Sequence, residues 1–133
     1  MSLDSTILKL LKHRDRYELY RSAVPTDILA PHTRIILADL GEFFRESDTN
    51  VANAEHFLPW FLLKHPKLKD EPKALLSGII KAADPDAPAE VERGILTRLE
   101  DARQAAALTT LLERYNAGEE VSITRLRDRR SVV

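Results

Sequence analysis

Apolar residues along the chain recur at intervals of three and four, and no run of five or more residues alternates Val, Ile or Thr with polar residues as a half-buried strand would. The pattern predicts helices throughout. Ile7, Leu8, Leu10 and Leu11 fall on one broad face of a first helix that Asp4 can cap, and Lys12-His13-Arg14-Asp15 breaks it. A short second helix carries Tyr17, Leu19 and Tyr20 and stops by Pro25, since proline offers no amide hydrogen and biases the residue before it away from helical angles. A third starts at Pro31, runs to about residue 47, and sets Ile36, Leu40, Phe43 and Phe44 on one stripe widened by Ile35 and Leu37. Ser47-Asp48-Thr49-Asn50 closes it as a turn. Asn53 can cap a fourth helix, whose Phe57, Leu58, Trp60, Phe61 and Leu62 mark the centre of the core; Pro59 is tolerated there if the helix proper begins late and otherwise kinks it. His65-Pro66 ends this segment. Asp70-Glu71-Pro72 opens a fifth helix that runs through Leu75, Leu76, Ile79 and Ile80 to about Ala83.

Beyond the proline-dense linker Asp84-Pro85-Asp86-Ala87-Pro88, no strong breaker occurs before Gly118. Val91, Ile95, Leu99, Ala102, Ala106 and Leu112 read as one stripe, with Leu96, Leu108, Leu111 and Tyr115 beside it. A helix of about 30 residues spans roughly 45 Å, whereas a globule of this size is only roughly 36 Å across. The helix therefore overhangs, breaks at Gly94 and folds back, or meets a partner; the cluster Ala102, Ala105, Ala106 and Ala107 favours an unbroken rod that another helix can approach closely. The self-association face expected from the sequence is Leu99, Ala102, Ala106, Leu108 and Leu112. The expected fold is all-α: a single-domain bundle of about six helices with a long C-terminal helix or helical hairpin. Residues 1–118 are expected to form the helical domain, and residues 119–133 a linker or arm.

With 133 residues and 44% apolar content, the chain can build a core without metal or disulfide staples. Its 20 basic and 21 acidic residues nearly cancel, so any basic binding surface must be local. The absence of cysteine excludes disulfides, thiolate zinc sites and cysteine nucleophiles, and leaves only His and carboxylates as metal ligands. The longest apolar stretches are far shorter than a membrane span and no charged-then-apolar leader opens the chain, so a soluble, cytoplasmic protein is expected.

Chemical motifs are sparse. His13-Arg14-Asp15 spells the start of a kinase catalytic loop, but the Asn needed five residues after the Asp is Tyr20. Phosphate cradles need closely spaced glycines, and Gly41, Gly78, Gly94 and Gly118 lie far apart. His56 and His65 are nine residues apart, without the HExxH spacing that would put two histidines on one helix face. The acid pairs Glu90/Glu92 and Asp84/Asp86 flank a helix start, where acids are expected for electrostatic reasons alone. Three basic clusters remain: Lys9, Lys12, Arg14 and Arg16; Lys64, Lys67, Lys69 and Lys73; and Arg125, Arg127, Arg129 and Arg130 near the C-terminus. Acids are interleaved in each. The last is the best candidate for phosphate contact, with the steep salt dependence that such contact brings.

Ile7-Leu8-Lys9-Leu10-Leu11, Asp27-Ile28-Leu29, His32-Thr33-Arg34-Ile35-Ile36 and Ala38-Asp39-Leu40 together resemble the N-terminal helical domain of DnaB-type replicative helicases. Gly41-Glu42-Phe43-Phe44 and Phe57-Leu58-Pro59-Trp60-Phe61 through His65-Pro66-Lys67-Leu68 are similar to the phage-encoded version. Ile28, where an aromatic is usual, and Pro59 depart from the family pattern. The resemblance implies a non-catalytic domain that packs with its counterparts in a ring, pairs through a helical hairpin, and docks primase or a helicase loader. The ATPase motor, with its ATP and magnesium, would belong to a following domain, so no cofactor is expected in this chain and DNA would be met only through the full-length protein or weakly through the tail. A small nucleic-acid-binding adaptor using the arginine tail is the alternative; a small enzyme would need a polar pocket that the sequence does not advertise.

Overall fold

The computed structural model describes residues 2–117. Among them are six α-helices: α1 (Leu3–Leu11), α2 (Arg14–Tyr20), α3 (Pro31–Glu46), α4 (Ala54–Lys64), α5 (Asp70–Ala82) and α6 (Ala89–Ala117). Short 3₁₀ turns at Arg21–Ala23 and Thr26–Ile28 bridge α2 to α3. The fold is the all-α bundle with a long last helix that the spacing predicts. Its only extended pairing among the described residues is an isolated bridge between His13 and Val51, where Arg14 N–H donates to the Asn50 carbonyl and Ala52 N–H to that of Lys12, both at 2.7 Å.

Helix ends follow local chemistry with one exchange of roles. Ser2, not Asp4, caps α1, its hydroxyl accepting from Ser5 N–H at 3.1 Å. Asp4 instead reaches across to the start of α3, accepting from Ala30 N–H at 2.8 Å and from the Thr33 hydroxyl at 2.6 Å. These bonds to the ionised form, Thr33 foremost, hold the Asp4 carboxyl below its ordinary value. Asn53 caps α4 as expected, accepting from His56 N–H. Pro59 lies inside α4 but on its exposed side, and having no N–H it can give the carbonyl of exposed Glu55 no helical hydrogen bond.

The core is aromatic at its centre, and the rings sit where the sequence places them. Phe43 meets Phe57 edge-on at 5.4 Å and Trp60 at 5.5 Å, while Leu10, Leu11, Leu37 and Phe61 are completely buried around them. Trp60 is only partly buried, and its indole N–H donates to Glu46 at 3.1 Å. One glycine permits a close approach: a Cβ on Gly41 would lie 2.5 Å from the Tyr17 hydroxyl, which donates to the Leu37 carbonyl at 2.8 Å. α2 can rest against α3 because position 41 has no side chain.

Candidate functional site

The long helix is the feature that neither core packing nor chemistry accounts for. α6 runs unbroken through Gly94 for 29 residues, about 43 Å, so the fold-back alternative does not hold within the described residues. Its first half is anchored. The helix packs against α2 and the Arg21–Ala23 turn, with Ile95 and Leu96 partly buried and Leu99 only 5% exposed. Arg16 of α2 pairs with Glu92 at 2.8 Å, neither side chain being more than a quarter exposed.

The linker that delivers α6 is strapped to the body. Buried Lys12 directs its ammonium to the Asp84 carbonyl and to Asp86 at 3.0 Å, and His13 Nε2 lies 3.0 Å from the same Asp86 oxygen. Asp84 accepts from Ala54 N–H at 2.7 Å. His13 and then Lys12 hold the Asp86 carboxyl below its usual value. Asp84 and Asp86 are thus structural ties rather than an acid-base pair.

Past Arg103 the helix leaves the body. Arg103 is clamped to Glu100 by two bonds of 2.8 and 2.6 Å, and every residue from Gln104 to Arg114 is exposed. The arm from Gln104 to Ala117 is about 21 Å long. Gln104 to Leu112 contains no charged residue, in a chain with 31% charged residues, and leaves Leu108, Leu111 and Leu112 57%, 60% and 51% exposed. These leucines form an exposed apolar patch on an uncharged stretch of helix.

The five residues expected to associate do not share one face. Helix geometry, at about 100° per residue, sets Leu99, Ala102 and Ala106 on the side turned to the body and Leu108 and Leu112 roughly 180° away. Leu99 is buried in the chain's own core, which removes it from any association surface in this conformation; Ala102 is partly buried, and Ala106, though exposed, continues the body-facing line. Leu111 belongs with Leu108 and Leu112 instead. The signal was present in the sequence: the step from Ala106 to Leu108 is two residues, which moves a helical stripe to the opposite side.

The other sequence candidates resolve into structural roles or stay separate. His65 ends α4 and lies 2.6 Å from buried Asp39, whose other oxygen takes Lys64 at 2.8 Å; Lys64 also meets Glu42, and these acids raise its pKa. His32 and His56 are exposed. Among the described residues no group of three His or carboxylate side chains is placed to hold a metal ion. Lys12, Arg14 and Arg16 are occupied by Asp86, by the carbonyls closing α3, and by Glu92, which dissolves the first basic cluster as a free surface. Arg125, Arg127, Arg129 and Arg130 lie outside the described residues. Among the described residues, no helix is long and apolar enough to cross a membrane. No family model, curated protein or solved structure matches the chain.

Proposed function

We propose that the chain is a non-catalytic assembly and docking domain, the N-terminal part of a DnaB-type replicative DNA helicase acting in the cytoplasm, a bacterial host's if the protein is phage-encoded. The observation that carries the reading is the arm of α6: a helix held rigidly at one end by Leu99, Arg16 and the Lys12 strap, and presenting exposed, uncharged leucines at the other. A compact body built to stand alone gains nothing from such a projection, whereas a subunit of a larger assembly can bury it. The sequence resemblance supplies the particular assembly, with primase or a helicase loader as the docked partner. ATP and magnesium would serve a motor domain further along the polypeptide.

The test is the reading frame beyond Val133. A phosphate loop of the form G-x-x-x-x-G-K-[ST] in a following domain is the expected result. A frame that ends without one would overturn the helicase reading.

A further inference from the structure

We infer that the segment after α6 turns back at Gly118 and lies in extended form along the outward face of the helix, with Val121 and Ile123 on the leucines and the arginines on the acids nearer its root. It rests on the assembly reading only in taking that face as a docking surface, and names what covers the face in the isolated chain. The track is continuous. Leu111, Leu108, Gln104, Asp101 and Glu100 follow one another within about 100° of the helix surface. At Glu100 the track enters a groove of about 520 Å³ between Tyr20 of α2 and α6, lined also by Glu92, Arg93, Leu96 and Asp101. Asp101 is exposed, and the Arg103 clamp holds Glu100 beside it. From tip to root, the face is therefore first apolar and then mainly acidic.

The sequence beyond Gly118 repeats that order. Val121 and Ile123 come first and Arg125, Arg127 and Arg129 follow, all at odd positions, so an extended chain sets the five on one side and Asp128 on the other, whereas a helix would scatter them. The lengths agree as well. With Gly118 and Glu119 in the turn, the stretch from Glu119 to Ile123 spans about 13 Å, which matches the rise from Ala117 back to Leu108; Glu119 to Arg127 spans about 26 Å, the rise back to Glu100. Two conformations that advance at rates differing more than twofold thus bring apolar to apolar and base to acid at both levels. The tail is then a tethered competitor for the leucines. A partner that docks on them must displace it, which frees the arginines, and an anion that takes the arginines uncovers the leucines; the coupling is reciprocal.

The chain has no cysteine, so introduced cysteine pairs report the register. In dilute solution under mild oxidation, Leu108→Cys with Ile123→Cys should close an intramolecular disulfide at a rate independent of protein concentration. It should form about tenfold faster than Ala106→Cys with Ile123→Cys, because a free tether would offer both positions a similar effective concentration. Salt at about 1 M, where the screening length falls to about 3 Å, should erase most of that preference, and so should replacing Arg125, Arg127 and Arg129 together with glutamine. With the leucines intact, a nitroxide on Ser122→Cys should broaden the amide signals of Gln104 to Leu112 and leave those of α4 sharp. Equal linking of positions 106 and 108, linking that rises with protein concentration, a preference that withstands both high salt and arginine replacement, or sharp signals from Gln104 to Leu112 would each overturn the inference. The helicase reading is judged separately, by the frame beyond Val133: an uncovered arm upstream of a phosphate loop would remove the cover alone, and a covered arm with no motor downstream would remove that reading alone.

Discussion

Leu99 and Leu112 are the same residue on the same helix, and the structure assigns them opposite consequences. Leu99 is 5% exposed and is the last residue of α6 to be buried in the core among the described residues; Leu112 is 51% exposed. Truncating a buried leucine to alanine removes its transfer free energy and leaves a cavity, about 2–5 kcal/mol in well-packed cores. The site sits at the edge of the bundle, where Ile95, Leu96 and Tyr20 are only partly buried and can relax, which places Leu99→Ala toward the lower half of that range, about 2–3 kcal/mol. For a chain of this size that is a fall in Tm of roughly 6–15 °C. Leu112→Ala removes about half as much burial at most in either state and gains helix propensity, so its effect should stay within about 0.5 kcal/mol. Urea unfolding followed by circular dichroism measures both. Equal losses for the two variants, or a loss above about 1 kcal/mol for Leu112→Ala, would refute the contrast between buried Leu99 and exposed Leu112.

Two further outcomes follow from the body. Gly41→Ala should destabilise by about 1–2 kcal/mol in the same unfolding assay, because overpacking against Tyr17 and disturbance of its bond to Leu37 outweigh the gain of about 1 kcal/mol that alanine brings to a helix interior; a more stable variant would show that the ring moves aside freely. Asp86 has a folded-state pKa below its ordinary 3.8, so its contribution is present above that pH and is lost as pH falls through the depressed value; the urea midpoint should drop on acidification below about pH 4, and drop less in Asp86→Asn, while an identical profile in the variant would remove the strap from the acid response.

The helical order was readable because each core stripe is local. Ile36, Leu40, Phe43 and Phe44, or Phe57 and Phe61, repeat at helical spacing within a few turns, and turn residues such as Asn53 and Asp70-Glu71-Pro72 stand at the boundaries. What escaped the sequence is contact between distant positions. Asp4 has the right chemistry to cap its own helix, and only folding reveals that Ala30 and Thr33 claim it while Ser2 takes the cap. Lys12 and His13 meet Asp86 from more than seventy residues away, and no periodicity announces such a tie. The arm is legible as an overlong helix, and the two-residue step from Ala106 to Leu108 marks a change of side; which of the two sides meets the body is told by burial.

The strap and the Arg16–Glu92 pair have a mechanical meaning as well as an energetic one. They fix the root of a stiff lever about 21 Å long, so a tilt of roughly 10° at the root would swing its tip by about 4 Å, close to the width of a side chain. Small adjustments where the linker meets α1 and α2 are thereby magnified at the leucines, and the direction in which the arm projects is set by four or five polar contacts on the opposite end of the rod.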